Sequence, residues 1–246
     1  RAAGHGAWWV GGCVRDKLLG QPLRDIDIAT GAPPDAILRL FPDARLVGAA
    51  FGVCIVRHED NTHEVATLRA DGEYLDLRRP SSVRWGAIEE DAARRDFTIH
   101  ALYLDPVTGE VVDLVGGEAD LRARVLRCVG EPAARLREDA LRLLRAVRLA
   151  ARLGFAIEPR TWQALVDAAP AIDAISAERV RAELTQMLVE PSASTALRLL
   201  DEAGLLARVL PEVAALKGVE QDPLHHAEGD VWTHTLLCMD NLRLRT

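Results

Sequence analysis

The sequence predicts an α+β chain whose halves differ in kind, with strands and helices mixed in the first and helices alone in the second. Three observations carry this reading. Short apolar runs bounded by Gly, Pro and Asp recur as far as the turn Asp105-Pro106-Val107-Thr108-Gly109. From about Arg122 the composition turns to Ala, Leu and Arg at helical spacing. Between these halves the fold needs no internal repeat and no low-complexity tract, and none is visible.

Taken in order, 7–10 reads as a short strand that runs into Gly11-Gly12, and 14–19 as a helix closed by Gly20. A second strand, 26–29, carries Asp25 and Asp27. Pro33-Pro34 opens a helix over 35–40, because Pro is accommodated in a first helical turn. Further strands are expected at 46–47, 53–56, 64–68 and 99–104. Between Arg69 and Glu90 the apolar pattern weakens, and Asp71-Gly72, Pro80 and Ser81-Ser82 mark a long loop. Helices are expected at 138–153, 159–168, 176–189 and 193–203, with another beginning near Val231. Ser176 suits a helix start and Pro191 a stop. The polar stretch 219–229 reads as a linker.

The chain has 246 residues, 49% of them hydrophobic, enough for one or two cores. A net charge of −7 excludes a basic nucleic-acid coat, so RNA binding has to use local patches. Lys17 and Lys217 are the only lysines. The remaining cations are Arg, which suits forked contacts to phosphate. Cys13, Cys54, Cys128 and Cys238 lie far apart and form no CxxC pair. With no signal peptide and no apolar run of membrane length, a cytoplasmic protein without a membrane partner is expected. The first residue is Arg, and the chain reads as part of a longer protein.

Asp25-Ile26-Asp27-Ile28 is the central chemical signal. On a strand, residues i and i+2 share a face, so the two carboxylates project together. Adjacent carboxylates raise each other's pKa unless a cation lies between them. Two magnesium ions fit that need, and such a pair can activate a 3′-hydroxyl and stabilise leaving pyrophosphate. Glu64, on a predicted strand, is the candidate third carboxylate. Alone, a DxD would read as a solvated strand face. It stands, however, after Gly11-Gly12-Cys13-Val14-Arg15-Asp16, where Gly11 and Gly12 let backbone N–H groups approach a phosphate and Arg15 adds a forked contact.

These residues resemble the polymerase-β-like nucleotidyltransferases, and more closely the class II tRNA CCA-adding enzymes and bacterial poly(A) polymerases. The resemblance runs through almost the whole chain. Asp25 and Asp27 with 11–19 match the first motif, and Arg94-Arg95-Asp96-Phe97-Thr98-Ile99-His100-Ala101-Leu102 matches the family's "RRDFTINAL". Asp113-Leu114-Val115-Gly116-Gly117 with Asp120-Leu121 matches the turn between head and neck. Glu138-Asp139, Arg142, Arg145 and Arg148 match "EDxxRxxRxxR". Ser176, Glu178, Arg179 and Glu183-Leu184 match the last motif. His100 departs from the pattern, which has Asn there.

The resemblance implies a polymerase-β-like head with a small mixed sheet over 1–125, a nucleotide-selecting helical neck over 126–205, and the start of a helical body over 206–246. It implies two Mg2+ ions on Asp25 and Asp27, with Glu64 as a further ligand. It also makes Asp139 and Arg142 an amino-acid template for CTP and ATP. The chemistry of that template is legible unaided: a carboxylate accepts from a base amino group and a guanidinium donates to the adjacent ring acceptor, a pattern shared by C and A. Arg142, Arg145, Arg148 and Arg152 recur every three or four residues and share one helix face. That row reads either as a solvated face or as a surface for nucleotide and RNA phosphates. Arg95 is expected on triphosphate or base, and Asp96 on the ribose or on Arg95; a structural ion pair is the alternative for Asp96. Arg122, Arg124, Arg135 and Arg137 are candidate RNA contacts. The 69–90 loop corresponds to the family's flexible loop, which favours A addition and provides a gate.

His225, His226, Glu228, Asp230 and His234 form a polar cluster of metal-binding types. The stretch 226–234 resembles the beginning of an HD-type phosphohydrolase module but has no His-Asp doublet, so a truncated or structural remnant is expected. The reading overall is template-independent addition of CTP and ATP to the 3′ end of tRNA with release of pyrophosphate. An A-adding tRNA enzyme or poly(A) polymerase is the alternative. An RNA-binding module without catalysis and a second-messenger synthase are weaker ones. Oligomeric state is left open.

Overall fold

A computed structural model describes residues 1–23, 25–48, 51–59, 61–74 and 80–242. Two compact units emerge. One holds the described residues up to Ala123 together with Arg127–Gly130; the other holds Arg124–Leu126 and the described residues from Glu131 onward.

The first unit is built on a mixed sheet. Strand β1 (Ala7–Val10) ends at Gly11, whose φ of 77° and ψ of −133° suit a residue without a side chain. Helix α1 (Gly12–Leu18) starts at once, and Gly20 at φ 69° follows its end. Strand β2 is Ile28–Thr30, α2 is Pro34–Leu40, β3 is Arg45–Gly48, β4 is Val53–His58 and β5 is Asn61–Thr67. A ribbon of β6 (Arg69–Asp71) and β7 (Val83–Trp85) precedes α3 (Ile88–Ala93). Then come a 3-10 turn at Thr98–His100, β8 (Leu102–Leu104), β9 (Val111–Asp113) and α4 (Gly117–Ala123).

The seven-stranded sheet runs β3-β4-β5-β2-β1-β8-β9. Its neighbours are antiparallel except β2 and β5, which pair in parallel with Ile28 opposite Val65. Two apolar clusters pack on it. One gathers Val10, Ala29, Leu68, Ala92 and Tyr103, and the other Ala36, Ile37, Cys54, Val56 and Val65. Large aliphatic and aromatic groups thus leave water from both sides, which stabilises the sheet that carries the carboxylates.

The second unit is helical apart from a two-stranded parallel pair, β10 (Val125–Leu126) with β11 (Ala156–Ile157). Its helices are α5 (Pro132–Glu138), α6 (Leu141–Leu153), α7 (Pro159–Ala168), α8 (Ala177–Leu188), α9 (Ala193–Glu202), α10 (Leu206–Val209), α11 (Pro211–Ala214) and α12 (Val231–Asp240). Leu143, Leu144 and Val147 of α6 are fully buried, so the helix that carries the Arg series also forms part of the core. Among the described residues, no helix is long and apolar enough to cross a membrane.

Four expectations need correction. Asp25 and Asp27 lie on extended chain just before β2 rather than within it. The single strand expected at 99–104 divides into a 3-10 turn and β8, and Gly117 packs against the Thr98 carbonyl at the start of that turn. The loop from Arg69 to Glu90 is partly a paired ribbon; its 75–79 portion lies outside the described residues. The helix expected over 138–153 starts at Leu141, and Glu138 instead ends a separate helix, α5, that the sequence reading did not include. Asp139 is extended, and its Oδ1 accepts from the N–H of Leu141 at 3.1 Å, so the side chain competes with helix continuation and starts a new one.

Candidate active site

In the first unit, the parallel pairing of β2 with β5, extended by one residue, sets Asp27 beside Glu64. Electrostatics agree with that placement. Burial pushes the Asp27 carboxyl above its ordinary range, the negative charges of Glu64 and Asp25 push it further, and Arg95 partly offsets them. The charges of Asp25 and Glu64 therefore both act on Asp27 at the entry to β2. Among the described residues, these three carboxylates are not a group whose ligand atoms all lie within 4.8 Å of one another. An acidic group whose charge is disfavoured by its own neighbours is the environment that oxygen-seeking divalent cations relieve, so the donor set fits magnesium.

The glycine turn stands beside them. The carbonyl of Asp27 accepts from the N–H of Val10 at 3.0 Å, which ties the carboxylate segment to the strand leading into Gly11. Gly11 lies against Arg95, whose Nη1 would be 3.8 Å from a Cβ there. Arg15 is almost fully buried. It donates to Asp16 Oδ1 through both Nε and Nη2 at 2.7 Å, and its Nη1 lies 2.5 Å from His100 Nε2. Asp96 accepts from the N–H of Phe97 at 2.9 Å and lies 3.3 Å from His100 Nδ1.

Arg95 is held from below by Asp91. Its Nε and Nη2 donate to Asp91 Oδ2 at 3.1 and 2.8 Å, and its guanidinium lies 5.2 Å from the centre of the Tyr103 ring. Asp91 also accepts from Arg94 Nε at 2.9 Å and from the Tyr103 hydroxyl at 2.6 Å. Burial alone would raise the Asp91 carboxyl, but Arg95 and Arg94 outweigh it and hold the group at about 2. Burial, opposed by Arg95 and assisted by Asp91, pushes the Tyr103 hydroxyl up.

In the second unit, Asp139 Oδ2 accepts from Arg179 Nη2 at 2.8 Å. Arg142 donates to Glu138 Oε2 at 2.5 Å and to the carbonyl of Arg135 at 2.6 Å. The two expected base-reading groups thus lean on different supports, each anchored by another element. The Arg row is not a solvated face. Arg148 is buried against Glu183 Oε2 at 2.6 Å, Arg145 lies 3.9 Å from Glu183, and Arg152 lies 3.7 Å from Glu190. Of the expected RNA contacts, Arg135 pairs with Glu138 at 2.7 Å. Arg124 donates to the carbonyl of Leu153 at 3.2 Å, Arg122 lies exposed 3.3 Å from Glu118, and Arg137 is exposed. His226, Glu228 and His234 do come together, with ligand atoms within 4.8 Å of one another.

Residues 7–127 match the family described as "Poly A polymerase head domain", and 154–217 the one described as "Probable RNA and SrmB- binding site of polymerase A". The CCA-adding enzyme of Geobacillus stearothermophilus is 47% identical over 212 residues, covering 86% of this chain and 52% of that protein. The chain belongs to the poly(A) polymerase and CCA-adding family of nucleotidyltransferases. A CCA-adding enzyme of Streptococcus pneumoniae is 44% identical, covering 78% of this chain and 48% of its own. The crystal structure of the Bacillus stearothermophilus CCA-adding enzyme in complex with CTP matches at a TM-score of 0.77 and 43% identity, over 83% of this chain and 49% of that one. The Thermotoga maritima CCA-adding enzyme complexed with tRNA matches at 0.70 and 25%, over 90% and 51%. The chain spans about half the length of the curated relatives it matches.

Sequence reasoning for this family member missed Asp91, Tyr103, Glu138 and Glu183 as partners of the Arg groups. Asp91 left a signal, since it precedes Arg94 and Arg95 by three and four residues on a helical spacing. Glu183 left none toward Arg148, because only the packing of α6 on α8 brings them together.

Proposed function

We propose that this chain is the catalytic head, neck and first part of the body of a cytoplasmic tRNA nucleotidyltransferase that adds CTP and ATP to the 3′ end of tRNA. The observation that carries this is the placement of Asp27 beside Glu64 and Asp25, whose charges act on it, at the entry to β2 near Gly11 and Arg95. The CCA-adding relatives, one in complex with CTP and one with tRNA, support the choice of substrates. In this reading 1–125 is the head, 126–205 the neck and 206–246 the start of the body.

Gly11, Gly12, Arg15 and Arg95 hold the triphosphate, and Asp96 holds the ribose. Asp25 and Asp27, with Glu64, would hold two magnesium ions, which when bound would activate the 3′-hydroxyl and neutralise charge on the leaving pyrophosphate. The tRNA hydroxyl attacks the α-phosphorus, the bond to the β-phosphate oxygen breaks, and pyrophosphate departs. Asp139 accepts from the amino group of C or A while Arg142 donates to the neighbouring ring acceptor, so no nucleic-acid template is needed. U and G present the wrong donors and leave these groups unsatisfied. Arg145 and Arg148 hold that reading helix from behind through Glu183, and Arg122, Arg124, Arg135 and Arg137 belong to the RNA side.

The test incubates the chain with Mg2+, CTP and ATP on three RNAs: tRNA lacking CCA, tRNA ending in CC, and an unrelated RNA. Sequential C, C and A on the first supports the proposal. Addition of A alone to the second, without use of CTP, replaces it with an A-adding enzyme. Repeated A on the third replaces it with a poly(A) polymerase. Asp25→Ala should abolish all incorporation; an unchanged rate would remove the catalytic reading.

A further inference from the structure

His100, the one departure from the family motif, stands where three residues of the proposed nucleotide site meet. Its Nε2 lies 2.5 Å from Arg15 Nη1, its Nδ1 lies 3.3 Å from Asp96 Oδ1, and its backbone carbonyl accepts from Arg95 Nη1 at 3.3 Å. The geometry dictates the protonation. A guanidinium carries donors only, so Nε2 must present a lone pair to Arg15. A neutral imidazole then keeps its proton on Nδ1, which faces the Asp96 carboxylate. One chain of contacts results, Asp16 to Arg15 to His100 to Asp96. The ring is nearly buried and sits edge-on to Phe97, itself fully buried, so it has little freedom to turn away.

We infer that His100 is a positioning residue that couples Arg15 to Asp96, so that the group aimed at the triphosphate and the group aimed at the ribose are set by one ring. This rests on the nucleotidyltransferase reading above. An asparagine offers a donor near the position of Nδ1 but is too short to reach Arg15 as well. A glutamine offers an acceptor near the position of Nε2 but gives up the donor to Asp96. The two contacts can therefore be separated by substitution. A ring that merely fills space would make both replacements equivalent.

The experiment measures binding of Mg2+-ATP, Mg2+-CTP and Mg2+-2′-deoxy-ATP by calorimetry to the wild-type chain, His100→Asn and His100→Gln, with thermal unfolding of each. Losing one hydrogen bond to a charged group corresponds to about tenfold in affinity. His100→Asn should lose about tenfold for ATP and CTP alike, through Arg15, while keeping its preference for ATP over 2′-deoxy-ATP. His100→Gln should keep ATP affinity and lose most of that preference, through Asp96. Equal behaviour of the two variants, or losses that track their unfolding temperatures, overturns the inference while leaving the nucleotidyltransferase reading in place. A wild-type chain that binds no nucleotide overturns both.

Discussion

Replacing Asp91 by Asn removes the one negative charge that Arg94 and Arg95 both bond, from a residue with 1% of its surface exposed. The carboxyl sits at about 2 rather than its ordinary 3.8, a difference that corresponds to about 2 kcal/mol of folded-state preference for the charged form. The variant takes the Asp91 charge away from Arg95 and leaves Arg94 with Asp71 at 3.8 Å, and breaking a buried pair costs about 3–5 kcal/mol. The predicted loss is therefore about 2–5 kcal/mol in the first unit. The sign with pH follows from the depressed value. The contribution is whole above the unfolded pKa of 3.8 and is lost as pH falls toward about 2. Urea unfolding followed by the fluorescence of Trp8, Trp9 and Trp85, in a background where Trp162→Phe and Trp232→Phe silence the second unit, reads this unit. At neutral pH the midpoint should fall by about 1 M or more. The gap between wild type and variant should shrink by about half near pH 3. A loss below about 0.5 kcal/mol, or a gap that does not narrow in acid, would refute the idea that Asp91 anchors Arg95 electrostatically.

Asp27→Asn should abolish nucleotide addition yet leave the ion-free chain at least as stable at neutral pH. Its carboxyl is pushed up by burial, Glu64 and Asp25, so the fold prefers the neutral form and loses stability as pH rises through that interval. Mg2+ should raise the unfolding temperature of the wild type and not of this variant. Glu183→Gln strands Arg148 in the interior of the second unit and should cost about 3–5 kcal/mol in chemical unfolding. Asp139→Ala removes the partner of Arg179 and the cap on Leu141, at about 1 kcal/mol for the cap. Its kcat/KM values for the four nucleoside triphosphates should converge by about tenfold, and undiminished rejection of UTP and GTP would count against a base-reading role.

Much of the fold was readable because its signals are local. The strand at Ala7–Val10, the proline-led α2 and the helices α7, α8 and α9 follow from periodicity and from Pro, Ser and Gly at their ends. The carboxylates and Arg15 were readable because a short spacing carries them. What escaped depends on partners far away in sequence. Whether Arg148 faces solvent or core is decided by Glu183, and the partner of Asp139 is Arg179 rather than its near neighbour Arg142. Helix α5 was missed, and the start of α6 was placed three residues early, because the start is decided by one side chain, Asp139, bonding to the backbone two residues on.

The parallel pairing of β2 with β5 has a consequence for how the family member can tolerate change. Glu64 reaches Asp27 through the alignment of two ladder hydrogen-bond rows, not through the length of chain that joins them. Residues added or removed in the turns that lead into and out of β3 leave that alignment intact. A single residue inserted within β5 ahead of Glu64 would instead turn its carboxylate to the opposite side of the sheet. Natural variation in length should therefore collect in those outer turns and stop abruptly at Asn61–Thr67.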